Sequence, residues 1–379
     1  MTKPKWESVK KLQAYFMKWF NGERSKAILT FPVVTAAMLI NDGKPVDVEF
    51  TDMCAKELSE GNSFFIYQSE SADSLASCCR LRSEISDNTF SYSLGAGGVA
   101  TGSINVITLN MNRLVQQGAN IVEEVKKIHK YQVAYRKLIE EYEKAGLLPV
   151  YKAGFIALDK QFLTIGINGM VEAAESLGIK VGNNKEYKDF VNKYLKVIYD
   201  ENKLAKKQYG YMFNTEFVPA ENLGIKNAKW DKQDGLFVPR DCYNSYFYKV
   251  EDQQTNTLDK IILHGKEIIK YLDGGSALHL NLEEAPNKEG FIKLIHATAM
   301  AGCNYFCFNI KITICNDCNA MDKRTNYTCT SCGSTNVDHA TRVIGYLKRV
   351  SSFSSGRQKE HQLRHYHIEK TSNKLADIR

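Results

Sequence analysis

At 379 residues the chain has room for one large domain or two ordinary ones, and 44% hydrophobic with 25% charged residues excludes disorder as its main state. Ten cysteines behind an N-terminus that runs straight into an amphipathic pattern (MTKPKWESVKKLQAYF) argue against a secreted disulfide framework. They favour metal ligation or thiol chemistry, with the cytoplasm as the expected location. No run approaches the roughly 20 apolar residues of a membrane span. A formal charge of +7 suits an anionic substrate as well as nucleic acid, so charge alone selects neither.

In chain order, apolar residues at three- and four-residue intervals predict a helix over 6–20. Short β-branched or aromatic runs predict strands at 28–35, 63–67 and 103–109. Helices are expected over 119–144 and 185–208, then strands at 211–218, 277–282 and 305–310. Strands alternating with helices indicate an α/β architecture with parallel strands. The runs 104–109 and 305–310 are apolar on both faces apart from an Asn or Thr, as expected of strands covered on both sides. From Lys311 the composition shifts to Cys, Asn, Asp and Thr, marking a small module, and a basic tail covers 348–379. No internal repeat or low-complexity tract stands out.

Cys315-x2-Cys318, ten residues, then Cys329-x2-Cys332-Gly333 places two turn-borne pairs where four thiolates can converge tetrahedrally on zinc. One rival reading, scattered core cysteines, asks for two such pairs side by side in a polar segment. Another, a redox pair, lacks the helix start that lowers a thiol pKa. Four protein ligands leave no open coordination position, so the zinc is read as structural. Zinc ribbons often bind nucleic acid, yet this one lacks the interleaved aromatic and basic residues such a surface needs.

Beyond the cysteines comes Arg342-Val343-Ile344-Gly345-Tyr346-Leu347, followed by Phe353, Arg357, Glu360 and Arg364 in a stretch that turns helical. On residue physics Gly345 reads as a tight turn. Glycine is also the one residue whose α-carbon radical is delocalised between amide nitrogen and carbonyl and free of side-chain hindrance. Arg-Val-x-Gly-Tyr just after a four-cysteine ribbon resembles the radical loop of the anaerobic (class III) ribonucleoside-triphosphate reductases, a glycyl radical enzyme family. The resemblance implies the C-terminal portion of a ten-stranded α/β barrel over 1–310, a zinc ribbon over 311–338, and a glycyl radical loop with a basic C-terminal helix over 339–379. It implies anaerobic reduction of ribonucleoside triphosphates to 2′-deoxyribonucleoside triphosphates for DNA precursor synthesis. The radical would sit on Gly345, installed by a radical S-adenosylmethionine iron-sulfur activase.

The segment from Gly61 to Leu81 carries vicinal Cys78 and Cys79. Two small buried residues are a common reading of such a pair. In the reductases a loop cysteine directly followed by Arg lies at the barrel centre, and Cys79 before Arg80 occupies that place, with Cys78 as the second candidate. Its implied role is to give a hydrogen to the Gly345 radical and, as a thiyl radical, to remove the 3′ hydrogen of the ribose. Gly102 to Asn110 is similar to the family's strand after that loop, with Ser103 near the place where a polar residue faces substrate. Phe217-Val218-Pro219-Ala220-Glu221-Asn222 resembles the family's Pro-Ala-Glu-Asn segment. There Glu221 would accept a proton or orient a ribose hydroxyl and Asn222 would hydrogen-bond it; the same residues equally make a helix start. His279, His296 and the tail histidines show no ligand spacing.

The resemblance runs from about Lys26 to Tyr366 and matches only the C-terminal half to two-thirds of the family's enzymes. A half-barrel has open strand edges. The expectation is therefore a split or truncated enzyme, with a separate polypeptide supplying the rest of the barrel and the regulatory sites, and a homodimer when complete. Formate acetyltransferase-type glycyl radical enzymes share Arg-Val-x-Gly-Tyr, but the ribbon argues against them. A non-catalytic zinc-ribbon protein or an inactive remnant is the reading from a different class. Neither a membrane nor nucleic acid is an expected partner.

Overall fold

A computed structural model of the chain describes residues 3–70, 74–76, 82–84, 100–218, 222–342 and 345–367. The elements in order are α1 (Lys3–Arg24), β1 (Thr35–Asn41), β2 (Lys44–Pro45), α2 (Val48–Ser59), β3 (Phe65–Ser69), β4 (Ser74–Ala76), β5 (Arg82–Glu84) and β6 (Ala100–Asn110). They continue with α3 (Met111–Gln116), α4 (Ile121–Lys144), α5 (Pro149–Lys152), β7 (Ile156–Asn168), α6 (Met170–Ser176), α7 (Lys185–Tyr209), β8 (Met212–Phe217) and α8 (Leu223–Gln233). The remainder comprises α9 (Thr257–Leu263), α10 (Lys266–Ile269), β9 (Leu278–Leu282), α11 (Lys288–Ala301) and β10 (Tyr305–Ile310). Last come β11 (Ile312–Cys315), β12 (Met321–Asp322), β13 (Val337–Arg342), β14 (Leu347–Arg349) and α12 (Ser355–Leu363).

Helix starts are written plainly in the sequence. Asp47, Asn110, Asn120, Asn184, Asn256 and Asn287 each stand one residue before a helix and accept a first-turn N–H with the side-chain oxygen. Helix α7 ends on Gly210 and α11 on Gly302, both in the left-handed conformation that glycine adopts without penalty.

Strands β6, β7 and β8 lie side by side and parallel, and so do β9 and β10. A parallel bridge between Glu216 and Gly275 joins β8 to the start of β9. At this seam the Gly274 N–H donates to Thr215 O at 2.8 Å, and a Cβ on Gly274 would stand 2.7 Å from that oxygen, so the close approach depends on glycine. Five strands thus follow one another in sequence order and direction. Strand β10 then pairs antiparallel with β3, which is parallel to β1. The all-parallel expectation therefore holds within each run and fails at the β3–β10 junction, where the second run returns beside the first.

One face of these strands meets the helices. Ile66, Leu109, Ile165, Ile167, Phe217, Leu278, Leu280, Phe306 and Phe308 pack there with α2, α4, α7 and α11 in the main core. The other face carries Phe65, Tyr67, Ala277, Tyr305 and Cys307 as a separate cluster. By strand alternation that inner face also holds Thr164, Asn214, His279, Asn281 and Asn309. Among the described residues no helix is long and apolar enough to cross a membrane.

Other expectations need correction. Residues 28–34 are not strand, since Pro32 has no N–H for a ladder and β1 begins at Thr35. The 104–109 run is not covered on both sides. Val106 is 44% exposed, because β6 pairs on one edge only, with β7, among the described residues. Strand β7 was not anticipated: Asp159, Lys160 and Gln161 interrupt its pattern and Gly166 weakens its β propensity. Gly166 is there because a Cβ would collide with the Thr108 and Val218 side chains.

Candidate active site and metal centre

The chain leaves β10 and within two residues enters a second sheet, antiparallel, in the order β12-β11-β13-β14. Two similar knuckles project from it. In the first, the Asn319 N–H bonds to Cys315 O and the Cys315 N–H to Ala320 O; in the second, Gly333 bonds to Cys329 O and Cys329 to Ser334 O. Each knuckle closes on a residue in the left-handed region, Asn319 (φ 59°) and Gly333 (φ 75°), the residue types that tolerate it.

The knuckles bring the sulfurs of Cys315, Cys318, Cys329 and Cys332 within 4.8 Å of one another. Cys315 to Cys332 and Cys318 to Cys329 are both 3.6 Å. A tetrahedral zinc with bonds of about 2.3 Å holds its sulfurs about 3.8 Å apart, so the cluster fits that ion. The N–H groups of Cys332 and Ser331 hold the Cys329 thiol down, while the neighbouring sulfurs push Cys318 and Cys332 up, the crowding of four thiols that a shared cation would relieve. Bound there, zinc would cross-link the two knuckles.

The same sheet continues into the glycine loop. Cys315 pairs with Val337 at one end of β13, and at the other end Arg342 pairs with Leu347 of β14. Gly345, buried, lies in the turn between them. Arg349 on β14 donates to Asn316 Oδ1 of the first knuckle at 2.7 Å, a second tie between loop and ribbon.

The turn is fastened to the inner face from several sides. Asn309, on β10, accepts from Thr341 Oγ1 at 2.7 Å and from the Arg342 N–H at 3.0 Å, while its own amide donates to Asn281 Oδ1 at 2.7 Å. The Arg342 guanidinium donates to the Gly345 carbonyl and to Ser63 Oγ, each at 2.9 Å, and lies 4.6 Å over the Phe65 ring. From the residue just after α12, Arg364 donates to the Arg342 carbonyl at 2.9 Å. Tyr346 stacks on Phe31 with ring centres 5.7 Å apart. The tail then lies along β9, the His367 N–H donating to Asn281 O and its carbonyl accepting from Glu283.

Arg364 is itself fixed by both oxygens of Glu360 at 2.8 Å, with Arg357 3.4 Å away. Burial pushes the Glu360 carboxyl up, but Arg364 and Arg357 outweigh it and hold it below its ordinary 4.5. A carboxyl lowered on folding contributes stability that is present above 4.5 and lost as pH falls through the folded value. Thermal unfolding followed against pH should therefore show a loss of stability beginning in the carboxylate range, with a shallower slope in Glu360→Gln. At neutral pH that variant should lose on the order of 3 kcal/mol, the cost of breaking a buried pair. An unchanged acid limb would contradict this assignment.

Of the other candidates, Ser103 lies on the inner side of β6, its hydroxyl 2.7 Å from Thr164 Oγ1, which in turn donates to Asn214 Oδ1 at 2.6 Å. Asn222 stands exposed at the start of α8 and makes no side-chain cap bond. Cys78, Cys79 and Glu221 lie outside the described residues. His279, set aside on spacing, is buried with its ring centre 5.6 Å from that of Phe65. Asn309 and Ser63 were missed as site residues. The one available signal for Asn309 was its place as the lone amide in an apolar strand.

The fold of the strands resembles that of a glycyl radical enzyme from Archaeoglobus fulgidus. That structure superposes with a TM-score of 0.57 at 12% identity over 92% of this chain and 54% of its own, a likeness of fold alone. Residues 3–367 match the anaerobic ribonucleoside-triphosphate reductase family, and the chain belongs to it. Among solved structures, an anaerobic ribonucleotide reductase aligns at TM-score 0.83 and 30% identity, covering 96% of this chain and 59% of its own. The Thermotoga maritima anaerobic ribonucleotide reductase in complex with dATP and CTP aligns at 0.80 and 30%, covering 93% and 59%. The chain thus spans 59% of the length of these two relatives. No curated protein matches by sequence.

Proposed function

We propose that this chain performs the radical chemistry of anaerobic ribonucleoside-triphosphate reduction, yielding 2′-deoxyribonucleoside triphosphates. The observation that carries the reading is the burial of Gly345 in a hairpin turn clamped to the polar inner face of the barrel strands. Gly345 stores the radical. It takes a hydrogen atom from Cys79, and the resulting thiyl radical removes the 3′ hydrogen of the ribose. Sulfur suits this exchange because S–H and ribose C–H bonds are close enough in strength for it to be reversible. Ser103 on the same inner face, and Glu221 with Asn222 after β8, are the residues assigned to substrate hydroxyls. Zinc on the four cysteines is structural. The partners are the nucleotide and a radical S-adenosylmethionine activase that removes the glycine hydrogen.

The test is anaerobic incubation of the chain, together with any host polypeptide that supplies the rest of the barrel, with such an activase, a ribonucleoside triphosphate, and formate or a dithiol as reductant. A glycyl doublet by electron paramagnetic resonance, with deoxynucleotide formed, is the expected result. A doublet without deoxynucleotide under either reductant would sink the reductase assignment; no doublet would sink the radical.

A further inference from the structure

We propose that Arg342 tunes the electronic state of Gly345: its guanidinium, bonded to the Gly345 carbonyl, draws unpaired electron density from the α-carbon onto oxygen and so favours storage of the radical there. This rests on Gly345 being the radical site.

Three observations carry it. Arg342 is 3% exposed, and among the described residues no carboxylate lies within ion-pair distance of it, whereas its neighbours Arg357 and Arg364 share Glu360. A buried cation without a counter-charge is costly to retain for packing alone. Its hydrogen bonds go to the Gly345 carbonyl from Nη1 and to Ser63 Oγ from Nη2, while Nε is buried without a partner. Its backbone is held on both sides of its α-carbon, the N–H by Asn309 and the carbonyl by Arg364, which fixes the point from which the guanidinium reaches Gly345.

A glycyl α-radical is stabilised by donation from the amide nitrogen and withdrawal by the carbonyl. A cation at the carbonyl oxygen deepens the withdrawal, and in a buried site its field is weakly screened. In the transfer itself the Cys79 S–H bond breaks as the Gly345 Cα–H bond forms, and the reverse step restores both. One hydrogen atom moves, no proton is released, and Arg342 keeps its charge. Arg342 is thus a positioning residue for that equilibrium, biasing it toward the glycyl side. A charge-assisted hydrogen bond that strengthens in one state shifts such an equilibrium by roughly tenfold.

The experiment compares wild type with Arg342→Lys, Arg342→Gln and Ser63→Ala after anaerobic loading, reading the α-proton doublet splitting and the radical lifetime. Wild type and Arg342→Lys should agree closely. Arg342→Gln should show a wider doublet, from spin returned to the α-carbon, and a lifetime shortened by roughly tenfold. Ser63→Ala, which frees the guanidinium but keeps the loop sequence, should lie between. A purely structural role would change radical yield and not splitting, so equal splitting and lifetime in Arg342→Gln and wild type overturns the proposal. Where Arg342→Gln does not fold or load, judged by zinc content and thermal unfolding, Ser63→Ala decides, and a wild-type splitting there overturns it. No doublet in wild type removes the radical reading together with this inference.

Discussion

Gly345→Ala should leave a folded, zinc-binding chain that gives no glycyl doublet and forms deoxynucleotide only at background. The loss is complete because the substituted atom is the reacting one. An alanyl α-radical carries a methyl group where the planar, unhindered centre must approach the activase and then Cys79. The fold should survive. One added methyl in a packed turn costs about 1–3 kcal/mol, and the hairpin keeps its fastenings through Asn309 and Arg364 to the Arg342 backbone and through the stack of Tyr346 on Phe31. The same variant provides an air test. Oxygen should cut the radical-loaded wild type at Gly345 and release the C-terminal tail, while Gly345→Ala stays whole. An uncut wild type after aeration, or a doublet that persists in the variant, would contradict the placement of the radical.

Cys318→Ser should separate the ribbon from the barrel. The barrel strands draw their core from the helices, and that core contains none of the four ligand cysteines. Circular dichroism should therefore remain close to wild type. The loop should suffer instead. Strand β11 carries Cys315 and pairs with β13 from Ile312 to Cys315, and β13 delivers Arg342 to the barrel face. Losing the metal loosens the knuckles at the end of that ladder, and Arg349 loses its fixed acceptor on Asn316. Hydrogen-atom transfer depends on approach distance, and a displacement of about 1 Å can cost on the order of 100-fold in rate. The expected outcome is a folded chain with little or no radical on Gly345. A normal radical yield in zinc-free Cys318→Ser would show the ribbon to be dispensable.

Much of the architecture was legible because it is encoded in short range. The long helices declare themselves by periodicity, and the 119–144 and 185–208 expectations lie within two residues of α4 and α7 at either end. Strand 305–310 coincides with β10 because a strand buried on both faces reads as an apolar run, here broken only by Asn309. The errors have physical causes of the same scale. Strand β7 hides because Asp159, Lys160 and Gln161 interrupt its apolar pattern and its second half tolerates Gly166 for the sake of neighbours 58 and 52 residues away in Thr108 and Val218. The antiparallel β3–β10 pairing leaves no local mark, since either direction satisfies the same alternation.

What the sequence by itself determined is whatever a few consecutive residues can specify: the α/β class, the two cysteine pairs with Gly333 after the second, and the motif that marks the family. Which cysteines meet follows from that spacing alone. What only the tertiary structure decided is which groups gather around Gly345. Ser63, Asn309 and Arg364 come from three distant segments, just before β3, in β10 and just after α12, and become neighbours of Arg342 only where those segments converge. No local pattern records such a convergence. Hydrogen bonds between distant segments arise from the pairing order of the sheet, and that order is set by the burial of the whole core rather than by any one stretch of chain.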